Sequence, residues 1–214
     1  MDTILVDLDG TLTDPAAGII AAVRHAVARM GAAPPPAEEL RWVIGPPLRQ
    51  SFPRLLGDGH DVEAAIGHYR DHYGAGGLFE AAVYDGIFDA LAVLRDRPAR
   101  LLVCTAKPQH FAERVLDHFD LSARFDAIYG PDLEGRLDDK GDLIAHMIEV
   151  EGFDPGRAVM IGDRGSDVFA AKRHGIPTVG VLWGYGSREE LVDAGAAALC
   201  AEPAALPDMV NALL

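Results

Sequence analysis

Cysteine is nearly missing from this chain: Cys104 and Cys200 are the only two among 214 residues. Far apart and each inside an apolar run, they make neither a disulfide framework nor a metal-ligand spacing, so both read as reduced core residues. Long apolar runs are missing too. No stretch approaches the ~20 residues that a membrane-spanning helix needs. The opening Met1-Asp2-Thr3-Ile4 lacks the basic region of a leader. A cytoplasmic localisation without a membrane partner is therefore expected. Basic residues are scarce, 19 Lys and Arg against 33 Asp and Glu, for a formal net charge of -14. At that charge a nucleic-acid polymer is repelled at long range and is not an expected partner. A small anion is not excluded, because a metal or one or two lysines can reverse the field inside a pocket.

What is present suits an ordinary globular chain, with 49% hydrophobic and 24% charged residues, too apolar for disorder. The length allows one substantial core with a small accessory lobe. Short apolar runs at residues 4–6, 101–104, 127–129, 159–161, 178–182 and 197–200 read as buried strands. Helical spacing fills residues 86–95, 108–119, 140–151, 167–174 and 188–194. Strands alternating with helices predict an α/β fold, a doubly wound parallel sheet with helices on both faces. Residues 14–84 break the alternation. Ile19, Ile20, Val23, Val27 and Met30 fall near helical spacing, Gly31 and Pro34-Pro35-Pro36 stop that helix, and further helices are expected at 37–43, 48–56 and 62–73. The expected organisation is a core of residues 1–13 and 85–214 with a helical insertion at 14–84, and a hinge near Gly74-Ala75-Gly76-Gly77.

Four polar clusters follow predicted strands, at the end where open parallel sheets place their ligand crevice. Asp7-Leu8-Asp9-Gly10-Thr11 puts two acids directly after a buried strand, which is costly without a cationic partner such as a divalent metal. Gly10 allows a tight turn and close approach to a ligand. Taken alone, the segment could equally be a capped turn. Thr105-Ala106-Lys107 places a hydroxyl where it can donate to a phosphate oxygen, or where it simply caps a helix beginning near Pro108. Lys140, at a helix start after Asp138-Asp139, sits where a positive charge is unfavourable and calls for an external anion or one of those acids. Gly162-Asp163-Arg164-Gly165-Ser166-Asp167 places two acids four apart across a turn into a helix. Asp163 can face the crevice, and Asp167 can support it or cap the helix.

In this order the four motifs resemble those of the haloacid dehalogenase-like hydrolase superfamily. Ala170-Ala171-Lys172 through Gly175-Ile176-Pro177, with residues 179–186, resemble its phosphoglycolate phosphatase-like branch. Gly45-Pro46-Pro47-Leu48 and Trp183-Gly184-Tyr185-Gly186-Ser187 resemble its 5'-nucleotidase-like members. The resemblance implies a phosphatase in which Asp7 attacks phosphorus to form an aspartyl-phosphate, and Asp9 is general acid and then general base. It implies Mg²⁺ held by Asp7, the backbone carbonyl of Asp9, and Asp163, an oxygen set this hard cation prefers. Thr105 and Lys140 would hold phosphoryl oxygens together with the Gly10 and Thr11 region, and Asp167 would orient Lys140 or a metal-bound water.

The presence of Asp9 favours phosphoester cleavage over dehalogenation, since the true dehalogenases of the family pattern lack that acid. The insertion at 14–84 resembles the family's C1 helical cap, a lid from which Arg49 is the candidate substrate contact; Arg24, Arg70 and Tyr73 are further candidates. Arg164 departs from the small residue of many relatives and is expected to bind a carboxylate or form a local salt bridge. Glu189 and Glu190 read as a solvated helix start, and the eight histidines are read as forming no H-x-x-x-H or comparable ligand pattern, most of them surface or satisfied residues. The expected substrate is a small phosphorylated metabolite, 2-phosphoglycolate or a nucleoside 5'-monophosphate. A β-phosphoglucomutase-like phosphotransferase and a non-catalytic binding protein are the alternatives, and the chain is a monomer or a homodimer.

Overall fold

Apolar runs without polar alternation, such as Ile4-Leu5-Val6 and Val159-Met160-Ile161, are stable only as strands covered on both faces, and these six side chains are buried. The computed structural model describes residues 1–214. The chain begins with β1 (Asp2–Val6), β2 (Thr13–Asp14), α1 (Ala16–Arg29), α2 (Leu48–Leu56) and α3 (Val62–Ala75). It continues with β3 (Ala82–Val83), α4 (Ile87–Arg95), β4 (Ala99–Cys104), α5 (Gln109–His118) and β5 (Ala127–Tyr129). The last part holds α6 (Lys140–Glu151), β6 (Ala158–Gly162), α7 (Gly165–Lys172), β7 (Thr178–Val181), α8 (Arg188–Ala194), β8 (Ala198–Cys200) and α9 (Leu206–Asn211). No helix is long and apolar enough to cross a membrane.

The chain divides into two units, residues 1–14 with 83–214, and residues 15–82. The first holds a six-stranded sheet in the order β5-β4-β1-β6-β7-β8, with every neighbouring pair parallel. The α/β, doubly wound expectation describes this sheet. After β1 the chain builds outward through β4 and β5, then returns to the other side of β1 with β6. The order therefore reverses at β1 and β6, a switch point whose strand ends cannot be bridged by their own crossovers. Leu5, Leu102, Cys104 and Met160 pack with Leu143, Ile144 and Met147 of α6 and Ala170 and Ala171 of α7 in one apolar cluster. Both cysteines are free and buried, and burial pushes the Cys104 thiol up to about 12.

The second unit is helical. Ile19, Ala22, Val23, Ala26 and Val27 form the buried stripe of α1, while Ala65, Ile66, Tyr69 and Tyr73 form that of α3. Asp61 caps α3 by accepting from the Ala64 N–H at 3.0 Å. Tyr69 stacks on Tyr73 at 5.2 Å and meets Phe52 of α2 edge-on at 6.4 Å.

The helical piece expected at 37–43 is present as a 3-10 helix. The segment at 74–77 is not a bare linker: α3 runs through Ala75 and Gly77 is buried, and the two units divide between residues 82 and 83. Gly77 serves close packing: a Cβ on Gly18 would stand 1.8 Å from the Gly77 carbonyl oxygen. His68 and His72 stand four apart on α3, which corrects the reading that no H-x-x-x-H spacing is present; His72 stacks its ring on His25 at 4.5 Å.

Candidate active site

Three neighbouring strands deliver the site. Asp7 directly follows β1, Thr105 follows β4 and Asp163 follows β6, so the parallel register brings all three to one edge of the sheet. Asp7 is locked there by its own amide, which donates to the Ile161 carbonyl at 2.9 Å. Beyond it the amides of Thr11, Leu12 and Thr13 all donate to the Leu8 carbonyl. This tight turn needs Gly10 at φ +86°, and a Cβ there would meet Asp163 Oδ2 at 2.3 Å. Gly10→Ala is therefore expected to lose about 1–3 kcal/mol of stability in a urea melt, along with activity, whereas an unchanged midpoint would contradict the crowding.

The acids converge. Carboxylate oxygens of Asp7, Asp163 and Asp167 lie within 4.8 Å of one another, and all three residues are buried. Lys140 is buried among them at the first position of α6, hydrogen-bonded to Asp167 Oδ1 and 3.1 Å from Asp7 Oδ1. Expectation had given Lys140 an external anion or Asp138-Asp139; those acids are not its partners. Asp139 caps α6 through the Asp142 N–H at 2.9 Å and pairs with Arg173. Burial alone lowers the pKa of Lys140, but the Asp167 and Asp7 charges outweigh it and hold the ammonium above the ordinary lysine value.

One ammonium does not balance three carboxylates. Burial, with the Asp167 and Asp7 charges added, pushes Asp163 up to about 8. Its Oδ2 accepts the Tyr185 N–H at 2.7 Å and its Oδ1 the Thr11 hydroxyl at 3.3 Å. Asp7 Oδ1, although within ion-pair distance of Lys140, is a buried oxygen without an aligned hydrogen bond. A hard divalent cation suits an orphaned carboxylate oxygen in an over-negative oxygen cluster. Asp167 has both oxygens engaged, Oδ1 by Lys140 and Oδ2 by the Arg164 N–H at 3.0 Å.

Asp9 is the acid that the cluster leaves out. Both its oxygens take the Lys107 ammonium at 2.6 Å, an ion pair nearly closed to solvent. Lys107 carries no expected role in the Thr105-Ala106-Lys107 motif; its place two residues after Thr105, on the same strand end, was the available signal. Thr105 is not the cap of α5. Its hydroxyl oxygen accepts the Lys107 N–H at 3.2 Å, which leaves the hydroxyl proton to donate elsewhere.

The segment after β7 also reaches this edge. The Trp183 indole donates to the Thr11 carbonyl at 3.0 Å, and the Tyr185 hydroxyl bonds Asp14. Glu190 is not merely solvated: it accepts Arg164 Nε at 3.0 Å and the Gly165 N–H at 2.7 Å. That gives Arg164 its local salt bridge. In the second unit Arg49 grips the Glu63 carboxylate with Nε at 2.8 Å and Nη2 at 3.1 Å.

The model of the family described as haloacid dehalogenase-like hydrolase matches residues 4–181, most of the chain and all four motifs. The chain belongs to the haloacid dehalogenase-like hydrolases. Among curated relatives, a 5'-nucleotidase of Pseudomonas aeruginosa is 41% identical over 97% of this chain and 95% of its own length. The tyrosine-protein kinase PtkA of Mycobacterium tuberculosis is 39% identical over 98% of this chain and 72% of its own length. A phosphoglycolate phosphatase of Caulobacter vibrioides, at 33% over 89% of this chain and 82% of its own length, is more distant. The crystal structure of a predicted phosphatase from Clostridium acetobutylicum superposes with a TM-score of 0.94 and 39% identity, covering 99% of each chain. This family member is a phosphatase.

Proposed function

We propose that this phosphatase is magnesium-dependent and hydrolyses a small phosphomonoester through an aspartyl-phosphate on Asp7. The observation that carries the reading is the buried meeting of Asp7, Asp163 and Asp167 around Lys140, with Asp9 two residues beyond Asp7. The Asp7 carboxylate attacks phosphorus, so that the ester oxygen leaves and a carboxyl-phosphate bond forms. For Asp9 to give a proton to the departing oxygen, and then to take one from the water that cleaves the intermediate and restores the Asp7 carboxylate, its ion pair with Lys107 must open and Asp9 must first take up a proton.

Lys140 and the Thr105 hydroxyl hold phosphoryl oxygens, and the turn at Gly10 and Thr11 borders the same space. Asp167 keeps Lys140 charged and aimed. Mg²⁺ held by Asp7, Asp163 and the Asp9 carbonyl would neutralise the carboxylate excess and the charge developing on phosphate.

Arg49 as a substrate contact requires its pair with Glu63 to open, so Glu63 competes with any phosphorylated ligand for that guanidinium. Nucleoside 5'-monophosphates and 2-phosphoglycolate head the panel, in keeping with relatives named 5'-nucleotidase and phosphoglycolate phosphatase, and kinship with PtkA adds phosphotyrosine.

The test is phosphate release from these esters, sugar phosphates and an aryl phosphate, with Mg²⁺ or with EDTA. Turnover of at least one ester, reduced about 100-fold or more by EDTA, is the expected result, since metal charge stabilisation is worth several kcal/mol. Turnover indifferent to EDTA would remove magnesium from the reading. Phosphate moved between positions of a sugar, in place of release to water, would make the chain a mutase.

A further inference from the structure

The turn carrying Asp163 and Asp167 is tied from outside by a carboxylate that the proposed chemistry does not use. Glu190, in the first turn of α8, accepts from Gly165 N–H at 2.7 Å and Arg164 Nε at 3.0 Å, both on Oε1. The two donors lie between the two acids in sequence. Gly165 opens α7, so its amide has no carbonyl partner within the helix. Glu190 supplies that partner and thereby ties the start of α7 to α8. Its own backbone is held in turn, since Ser187 caps α8 by accepting the Glu190 N–H at 3.1 Å.

A tie here is needed for a physical reason. Asp163 and Asp167 approach each other and Asp7 while sharing one ammonium, so repulsion between their ionised carboxylates works to push the turn open. Asp167 holds the turn from inside through Arg164 N–H at 3.0 Å, and Tyr185 N–H holds the Asp163 carboxylate at 2.7 Å. Glu190 is the contact that acts from the side of α8. Its ion pair with Arg164 is partly exposed and contributes little by itself. The charge-assisted bond to the Gly165 amide is the stronger part.

We propose that Glu190 is a positioning residue for the acidic cluster: it holds the 163–167 turn so that Asp163 and Asp167 stay converged on Asp7, preorganising the magnesium site. This rests on the magnesium reading above. Outer-shell partners of metal ligands typically change metal affinity by about 10–100-fold when removed.

The experiment measures Mg²⁺ binding by titration calorimetry, and the melting temperature in EDTA, for wild type, Glu190→Ala and Glu190→Gln. About 10-fold weaker Mg²⁺ binding is expected in Glu190→Ala. Glu190→Gln should recover most of the loss, because its side-chain oxygen still accepts the Gly165 N–H. The activity of Glu190→Ala should return as Mg²⁺ is raised, with the Mg²⁺ requirement shifted more than the limiting rate.

Wild-type affinity in Glu190→Ala, whether or not its melting temperature falls, overturns the proposal and leaves the magnesium reading intact. A wild-type protein that binds no Mg²⁺ overturns both. Glu190→Asp, which keeps the charge but falls short of the Gly165 amide, repeats the test if Glu190→Ala does not fold: weakened Mg²⁺ binding supports the tie, and wild-type binding refutes it.

Discussion

Asp7→Asn is expected to lower phosphate release by on the order of 10⁴-fold or more, while leaving the metal-free protein at least as stable as wild type. The first half follows from the role of Asp7: an amide oxygen is a far poorer nucleophile than a carboxylate, and no other group occupies that position after β1. The second half follows from the charge arrangement. Asp7, Asp163 and Asp167 bring carboxylate oxygens within 4.8 Å of one another with only Lys140 among them. Removing one negative charge relieves repulsion, and Lys140 keeps its hydrogen bond to Asp167. Sites arranged for chemistry commonly carry this opposition between activity and stability. The check is a phosphate-release assay beside a urea melt in EDTA. Near-wild-type turnover would remove Asp7 as nucleophile, and a melt shifted sharply downward would show that Asp7 is a net stabilising partner of Lys140.

Raising the pH from about 4 to about 8 is expected to destabilise the metal-free protein through Asp163. Burial and the neighbouring Asp167 and Asp7 charges push its folded pKa up to about 8, above its ordinary value near 3.8. Between those values the folded state binds more protons than the unfolded state, so unfolding free energy falls as pH rises. This contribution is fully present below the unfolded pKa and lost as pH passes through the folded one. Mg²⁺ acts in the opposite direction, because it requires the ionised carboxylate. Its affinity should therefore strengthen with pH over the same window.

Melting curves in EDTA and in Mg²⁺, taken between pH 5 and pH 8.5 on wild type and Asp163→Asn, separate these effects. The wild-type curve in EDTA should fall more steeply with pH than that of Asp163→Asn, and the gain from Mg²⁺ should grow with pH in wild type alone. Parallel pH profiles for the two proteins in EDTA would show that Asp163 does not carry the shifted proton.

Much of the fold was legible because parallel strands buried on both faces leave a plain signature. Ile4-Leu5-Val6 and Leu101-Leu102-Val103-Cys104 are uninterrupted apolar runs followed at once by polar turns, and both are strands of the sheet. The two-residue strands β2 and β3 were not legible, since two residues carry no periodicity. Residues 37–43 were legible as a helical piece between Pro34-Pro35-Pro36 and Gly45-Pro46-Pro47; its 3-10 form was not. The glycines at 74–77 resemble a hinge in composition, whereas in the structure Gly77 is packed against Gly18.

By itself the sequence determined the chemistry available at the strand ends. A residue's type and its place after a buried run are local properties, so Asp7, Thr105, Lys140 and Asp163 could be named from spacing and motif. Tertiary structure alone decided who pairs with whom. Lys140 lies next to Asp139 in sequence, yet its ammonium meets Asp167 and Asp7, because the first position of α6 points toward the sheet edge while Asp139 turns back to cap the helix. Lys107 meets Asp9 across 98 residues, and Glu190 meets Gly165 across 25. A long-range ion pair depends on strand order and helix placement, which no local pattern encodes. The same is true of the raised pKa of Asp163, which arises from burial and two distant carboxylates together.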